Sequence, residues 1–237
     1  MRILVTNDDG IRAPGLEILA NWARKLGEVT VIAPKFEQSA KSHSINIHNP
    51  FEAKQVRWLE GMECHSVDSS PADCVRFAIN GLYRDFDLIF SGINRGLNVA
   101  DDIAYSGTDA AIFEAAHLGY KAVAFSTIPI SFKWAEESLD LVWKHITDNR
   151  YLEHNGIWNV NIPEDPKGIL LTRQGRAYFR DVFDEAGTDM YIARGTSFYE
   201  NSGKLEEDID AVMNGYISIT PLSVDHTAMD VFRKLSK

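Results

Sequence analysis

Asn7, Asp8, Asp9 and Gly10 follow an apolar run, Ile3 to Val5, near the start of the chain. Two adjacent carboxylates repel unless a cation holds them. Hard divalent ions such as Mg²⁺ and Mn²⁺ choose oxygen ligands of this kind. Gly10 permits the tight bend that a close ligand requires. The competing reading is a turn in which Asn7 and Asp8 cap a loop before a helix. Further groups of matching chemistry lie downstream. Asn94 and Asn98, in "SGINRGLN", offer amide oxygens to a hard cation and NH₂ groups to a phosphate. "YSGTDAA" opens a helix, so Ser106, Gly107 and Thr108 present hydroxyls and free N–H groups at its positive terminus. Taken singly, Ser106 or Thr108 is as well explained as a helix cap. Ser39, in "PKFEQSAKSHS", is a hydroxyl ligand in the same pattern, and a loop serine by itself.

The elements that must position these groups alternate. Strands are expected at Arg2–Thr6, Val29–Ala33, Glu63–Val67, Asp87–Phe90 and Ala122–Ser126. Helices are expected at Gly15–Leu26, Pro71–Asn80 and Gly107–Leu118. This rhythm predicts an α/β fold with a mostly parallel sheet flanked by helices. In such sheets ligands bind beyond the carboxyl ends of the strands, where all the named residues fall. A helix over Trp134–Thr147, strands near Trp158–Val160 and Tyr216–Ile219 and a last helix over Thr227–Leu235 follow. Lys35–Leu59 reads as an irregular hairpin. Thr172–Leu205 interleaves Tyr178, Phe179, Phe183, Tyr191, Phe198 and Tyr199 with charge and glycine, as a projecting hairpin does. Its aromatics pack on a partner subunit, on the chain's own core or on a ligand's base.

The bulk numbers exclude several classes. The 24 Lys and Arg against 34 Asp and Glu give a formal charge of −10. That charge disfavours broad binding to nucleic acid or to anionic membranes. Two cysteines, Cys64 and Cys74, are too few for a disulfide framework or a metal cluster. No apolar run approaches the roughly 20 residues of a membrane span. A first strand at Arg2 leaves no room for a signal peptide, so the expectation is a soluble cytoplasmic protein.

The ordered set of motifs resembles the survival protein SurE family of metal-dependent 5′/3′-nucleotidases. It consists of "ILVTNDDG", "AP" and "QSA" around Ser39, "SPADCV", "SGIN", "YSGT", "NVNIP" and "ISITPLSVDHT", spread over most of the chain. The resemblance implies a Rossmann-like catalytic domain over residues 1–130. It also implies a C-terminal portion, 131–237, that completes the sheet and mediates a homodimer or tetramer with an element exchanged between subunits. One divalent ion, Mg²⁺ or Mn²⁺, would be held by Asp8, Asp9, Ser39 and Asn94. Asn98, Ser106, Gly107 and Thr108 would line the phosphate site. The substrates would be nucleoside monophosphates, extending to short polyphosphate. Two departures stand out. Ser69-Ser70-Pro71 replaces the family's usual Gly-Thr-Pro, and Asp109 replaces a common valine after "YSGT". Asp109 is expected to point outward, away from the phosphate.

The implied chemistry is in-line attack by an activated water, with Asp8 or Asp9 taking its proton. His43, beside Ser39, is the candidate general acid for the leaving group; His226 is another, and His117 reads as structural. Asp101 and Asp102 read as loop-shaping. Arg12, Lys35, Lys41 and Arg95 are near enough in sequence to attract an anion. Two readings compete: a phosphoacceptor signalling module, with Asp68 as the acceptor after the third strand and Ser91 as the hydroxyl after the fourth, and a non-catalytic nucleotide-binding or assembly protein. Against the signalling module, no lysine closes the strand Ala122–Ser126, and the chain is about twice the size such a module needs.

Overall fold

The computed structural model describes residues 1–236. In chain order the first half runs β1 (Arg2–Thr6), α1 (Pro14–Ala23), β2 (Glu28–Pro34), β3 (Ala53–Gln55), β4 (Glu63–Val67), α2 (Pro71–Arg76), β5 (Leu88–Arg95), α3 (Gly107–His117) and β6 (Ala122–Thr127). The second half runs α4 (Lys133–Asp148), α5 (Tyr151–His154), β7 (Ile157–Ile162), β8 (Ile169–Leu171), β9 (Phe179–Gly187), β10 (Met190–Ser197), α6 (Asp208–Met213), β11 (Ile217–Pro221) and α7 (Met229–Leu235).

Nine strands form one sheet in the order β3-β4-β2-β1-β5-β6-β7-β11-β8. From β4 to β7 every neighbour is parallel. β3 adds antiparallel to one edge, and at the other side β11 runs antiparallel to β7. The chain leaves β1 toward β2 and later returns to its opposite side with β5. The order therefore reverses between β1 and β5, the crevice where open α/β sheets place their ligands.

Strand alternation divides the interior into two layers. Ile3, Val5, Phe90 and Phe125 pack with Leu16, Leu19 and Trp22 of α1 and Leu139 of α4. Leu4, Ile32, Ile89 and Ala124 face α2 and α3 through Cys74, Val75, Ile112 and Ala115. On the first face Trp22, Phe90 and Trp143 meet ring to ring, with centroids 5.5 Å apart for Trp22–Phe90 and for Phe90–Trp143. By the same alternation Thr6 lies on the α2/α3 side.

Local chemistry explains several element ends. Pro14 and Pro71 start α1 and α2, where a missing N–H leaves nothing unsatisfied. Ser70 caps α2 by accepting from the Asp73 N–H at 3.1 Å, so the Ser-Ser-Pro departure retains a hydroxyl cap. Past Arg76 the helix widens into one π turn, Phe77–Gly81.

Three expectations need correction. Residues 35–59 form no hairpin of their own; most of the segment is irregular, and only β3 pairs, with β4 outside it. β5 runs on to Arg95, so Asn94 stands on the strand end rather than in a following loop. β8 and α6 have no counterpart among the expected elements. The predicted hairpin is present as β9 and β10. Every residue from Phe179 to Ser197 is exposed, so these strands do not pack on the chain's own core. Their root does: Tyr178 and Tyr199 rest on a small cluster of Val99, Ala100, Ile209 and Val212.

Gly15 permits the closest helix–sheet approach near the site. A Cβ there would lie 2.0 Å from the Ile93 carbonyl oxygen, against rigid backbone. Gly15→Ala is expected to destabilise the fold by about 1–3 kcal/mol, the usual range for overpacking, read as a lower urea midpoint. An unchanged midpoint would contradict this packing.

Candidate active site

The site grows from the ends of β1 and β5 and the start of α3. Asp8 is 4% exposed. Such burial raises its pKa, and three groups on α3 work against that rise. The Thr108 hydroxyl donates to Asp8 Oδ1 at 2.5 Å, and the Gly107 and Thr108 N–H groups face the same carboxylate. The approach demands glycine at 107, where a Cβ would sit 2.7 Å from the Asp8 Cβ and 2.9 Å from its Oδ2. Asp9 is more open. Burial first, and the neighbouring Asp8 charge second, push its pKa up to about 6, against a partial offset from the Arg95 N–H at 3.3 Å. Asn7 donates its NH₂ to the Gly10 carbonyl at 3.1 Å, while its Oδ1 is buried without a partner.

The Ser39 loop is tied to the same point. The Gln38 N–H donates to the Asp8 carbonyl at 2.7 Å. Ser39 itself is exposed and donates its hydroxyl to Glu37 at 2.7 Å. Glu37 also adds to the charge felt by Asp9; sequence reading missed it, and its only signal is its place two residues before Ser39. Asn94 donates its NH₂ to the Gly96 carbonyl at 2.9 Å, which leaves its amide oxygen for other partners.

The oxygen donors fit a hard divalent cation. Two adjacent carboxylates, the Asp8 charge raising the Asp9 pKa, an amide oxygen and a hydroxyl gather at one crevice. Among the described residues no three or more His, Cys, Asp or Glu are grouped to hold a metal ion, so a cation here would draw on the amide and hydroxyl oxygens besides the two carboxylates.

The groups assigned to phosphate are only partly free. Ser106 caps α3 by accepting from the Asp109 N–H at 3.0 Å; its own O–H makes no well-formed bond and has the Asp109 carboxylate as its near neighbour. The Thr108 hydroxyl is committed to Asp8 and its side chain is fully buried, so that hydroxyl holds the carboxylate and does not reach a phosphate. The Gly107 N–H faces Asp8 too. Asn98 is buried and donates its NH₂ to Ser126 at 2.9 Å. Its backbone is clamped by Asn159 and Asn161, so it braces the loop after β5.

His43 is not at the crevice. It bonds Glu114 at 2.8 Å and stacks on His117 with ring centroids 5.6 Å apart. Glu114 lies eight residues from Ser106, about 12 Å along α3, so a general-acid role for His43 does not follow from this geometry. His226 is exposed beyond β11. Of the cations, Lys35 pairs with Glu52 and Asp68, and Arg12 lies over the Trp58 ring. Arg95, whose charge is felt at Asp9, donates its Nε to the Pro129 carbonyl, and Lys41 is exposed in the Ser39 loop. Asp102 accepts from the Tyr178 hydroxyl, which fixes the turn before Ser106.

Asp109 reverses its expectation. It points inward, is 0% exposed, and neither carboxylate oxygen has a hydrogen-bond partner. At the third helical position its carboxylate would ordinarily reach back to the Ser106 N–H. That N–H already donates to the Asp102 carbonyl. Burial drives the Asp109 pKa well above the usual range; the nearby Ser106 hydroxyl offsets part of this, and the charges of Asp8 and Asp208 add to it.

The same chain matches the family model described as survival protein SurE over residues 3–181. It is 36% identical to the 5′-nucleotidase SurE of Petrotoga mobilis over 248 residues, 99% of this chain and 98% of that protein. It is 37% identical to the 5′-nucleotidase SurE of Clostridium beijerinckii over 259 residues, covering 100% of this chain and 98% of the relative. The crystal structure of a SurE protein from Aquifex aeolicus superposes with a TM-score of 0.80 at 32% identity, covering 100% of this chain and 98% of that one.

The buried Asp109 has a stability signature. Its folded pKa is raised, so the folded chain binds that proton more tightly than the unfolded chain does. Its contribution is fully present below about pH 4, near the unfolded pKa, and is lost as pH rises toward the folded value. Asp109→Asn is therefore expected to exceed wild type in stability at pH 7 by about 1–3 kcal/mol, the usual scale for a buried unsatisfied group. The gap should close toward pH 4 in urea titrations. A less stable variant at pH 7 would contradict the assignment.

Proposed function

The chain belongs to the survival protein SurE family, and on that premise we propose that it is a metal-dependent 5′-nucleotidase. It hydrolyses nucleoside 5′- and 3′-monophosphates to nucleoside and phosphate, and extends to short polyphosphate. The observation that carries this reading is the Asp8–Asp9 pair at the β1/β5 crevice, with the Asn94 amide beside it and α3 directed at Asp8.

Asp8, Asp9, Asn94 and Ser39 would hold one divalent ion, Mg²⁺ or Mn²⁺; for Ser39 this means turning its hydroxyl from Glu37. Bound there, the ion supplies positive charge to the phosphoryl group and lowers the pKa of water. The rest falls to the chain. Thr108 and the α3 terminus fix Asp8 and oppose part of the rise that burial imposes on its pKa. Asp9, the more open of the two carboxylates, takes the proton of the attacking water. The Ser106 O–H and the terminal NH₂ groups of Arg95, whose Nε is held by the Pro129 carbonyl, orient the phosphate for in-line attack. The water oxygen forms the new bond to phosphorus, and the bond from phosphorus to the nucleoside oxygen breaks. That oxygen leaves with a proton drawn from solvent in this scheme, since no histidine of the described residues is fixed at the crevice.

The signalling alternative fits less well. Asp68 follows β4, which β2 separates from β1, and it is exposed and paired with Lys35. A phosphoacceptor must stand beside the acidic pair to share its cation. We also infer that residues 131–237 mediate self-association, as a homodimer or tetramer. The exposed apolar side chains of β9, β10 and α7, among them Phe183, Tyr191 and Phe232, support this. No helix of the described residues is long and apolar enough to cross a membrane, in keeping with a cytoplasmic protein.

Phosphate release from nucleoside 5′- and 3′-monophosphates, with Mg²⁺, Mn²⁺ or EDTA, tests the reading. Release should require metal and fall at least about 100-fold in a folded Asp9→Ala variant. No release from folded wild type with either metal would overturn it.

A further inference from the structure

Beside the phosphate end of the crevice runs a groove of about 260 Å³. One wall is the turn that leads into α3, with Asp101, Asp102 and Tyr105. The other is the root of the β9–β10 hairpin, with Tyr178, Phe179 and Arg180. Tyr105 is the residue before Ser106, so the groove borders the capping residue of α3. The larger cavities, at residues 176–209, at 55–62 and around Trp143 and Leu152, share no residue with the phosphate end.

Three carboxylates, Asp101, Asp102 and Asp181, line the groove against one cation, Arg180, whose guanidinium lies over the Phe198 ring. Tyr105 is 63% exposed and Phe179 46%, so both rings have open faces. Tyr178 is held by its bond to Asp102, which fixes one wall against the other. Asp101 is exposed, and no side-chain hydrogen bond occupies it among the described residues. Ionised carboxylates accept hydrogen bonds and donate none. A phosphate is therefore repelled from this wall, whereas hydroxyl and amino groups are welcomed. Flat π faces beside hydroxyl acceptors match a base and a ribose. The two ends together would sort a substrate by polarity, phosphate to Ser106 and nucleoside to the groove.

We propose that this groove is the nucleoside subsite, in which the base stacks on Tyr105 and Phe179 and Asp101 accepts a ribose hydroxyl. The proposal rests on the nucleotidase reading above. It makes the hairpin root part of the specificity apparatus, a role separate from any contact its exposed strands make.

Steady-state kinetics with adenosine 5′-monophosphate, its 2′-deoxy analogue and ribose 5-phosphate tests it. Wild type should prefer the nucleotide to ribose 5-phosphate, which has no base. Tyr105→Leu and Phe179→Leu should each raise KM for the nucleotide about tenfold, within the range for one lost stacking partner. Their kcat should move far less, and the preference for nucleotide over ribose 5-phosphate should fall by the same factor. Asp101→Asn should narrow the preference for ribose over deoxyribose. Equal changes in KM for nucleotide and ribose 5-phosphate, or none in folded variants, would overturn the subsite while leaving the nucleotidase reading intact. A wild type that releases phosphate from none of the three would overturn the nucleotidase reading itself, and the subsite with it.

Discussion

The hydrogen bond from Thr108 to Asp8 is the constraint on which the rest of the site depends. It brings the start of α3 against the end of β1, 100 residues earlier in the chain. The contact is close enough that position 107 cannot carry a side chain without moving Asp8. In return, a carboxylate only 4% exposed has a hydroxyl donor and two facing N–H groups. The positive end of a helix favours negative charge, and here that charge belongs to the protein itself. The phosphate is left to Ser106 and to the rim of the crevice.

The same arrangement concentrates unfavourable charge. Asp8 and Asp9 are adjacent, Glu37 lies within range of Asp9, and Asp109 is buried behind Asp8. Each raises the free energy of ionising its neighbours. Burial raises the pKa values of all three aspartates, and the Asp8 charge adds to the rise at Asp9 and Asp109, so the metal-free protein favours their protonation. A divalent cation relieves the repulsion among the residues at the surface of the crevice. Asp109, with no oxygen partnered, lies behind them and leaves an uncompensated group in the interior. Functional sites often retain such locally unfavourable features when the surrounding fold is stable enough to hold them.

Much of this was legible in the residues. The βαβ rhythm, the strand β1, the helix start at Gly107 and the hairpin all follow from periodicity and from residues such as Ser106 and Pro71 at helix starts. The gathering of Asp8 and Asn94 follows from the rule that parallel strands end at one edge. What did not follow was orientation. "YSGT" reads as a phosphate cradle, but whether Thr108 faces a ligand or Asp8 depends on a contact 100 residues away. Asp109 suits a first helical turn in either direction, and only the prior claim of Asp102 on the Ser106 N–H leaves its carboxylate without the usual partner. His43 is close to Ser39 in sequence, yet the loop turns and delivers it to Glu114. α6 and β8 are short, and neither has enough residues to show a period.

The central claim is that the paired aspartates are a cation site held in tension by protons. Calorimetric titration of the metal-free protein with Mn²⁺ between pH 5 and 7.5 tests it directly. Because Asp9 has a pKa of about 6 without metal, binding below that pH must displace a proton. The affinity should strengthen as pH rises through about 6 and then level off, with pH 5 about tenfold weaker than the plateau. Proton release, read from the buffer dependence of the heat, should fade over the same interval. Affinity independent of pH across that range, or no binding by the folded protein, would contradict the account.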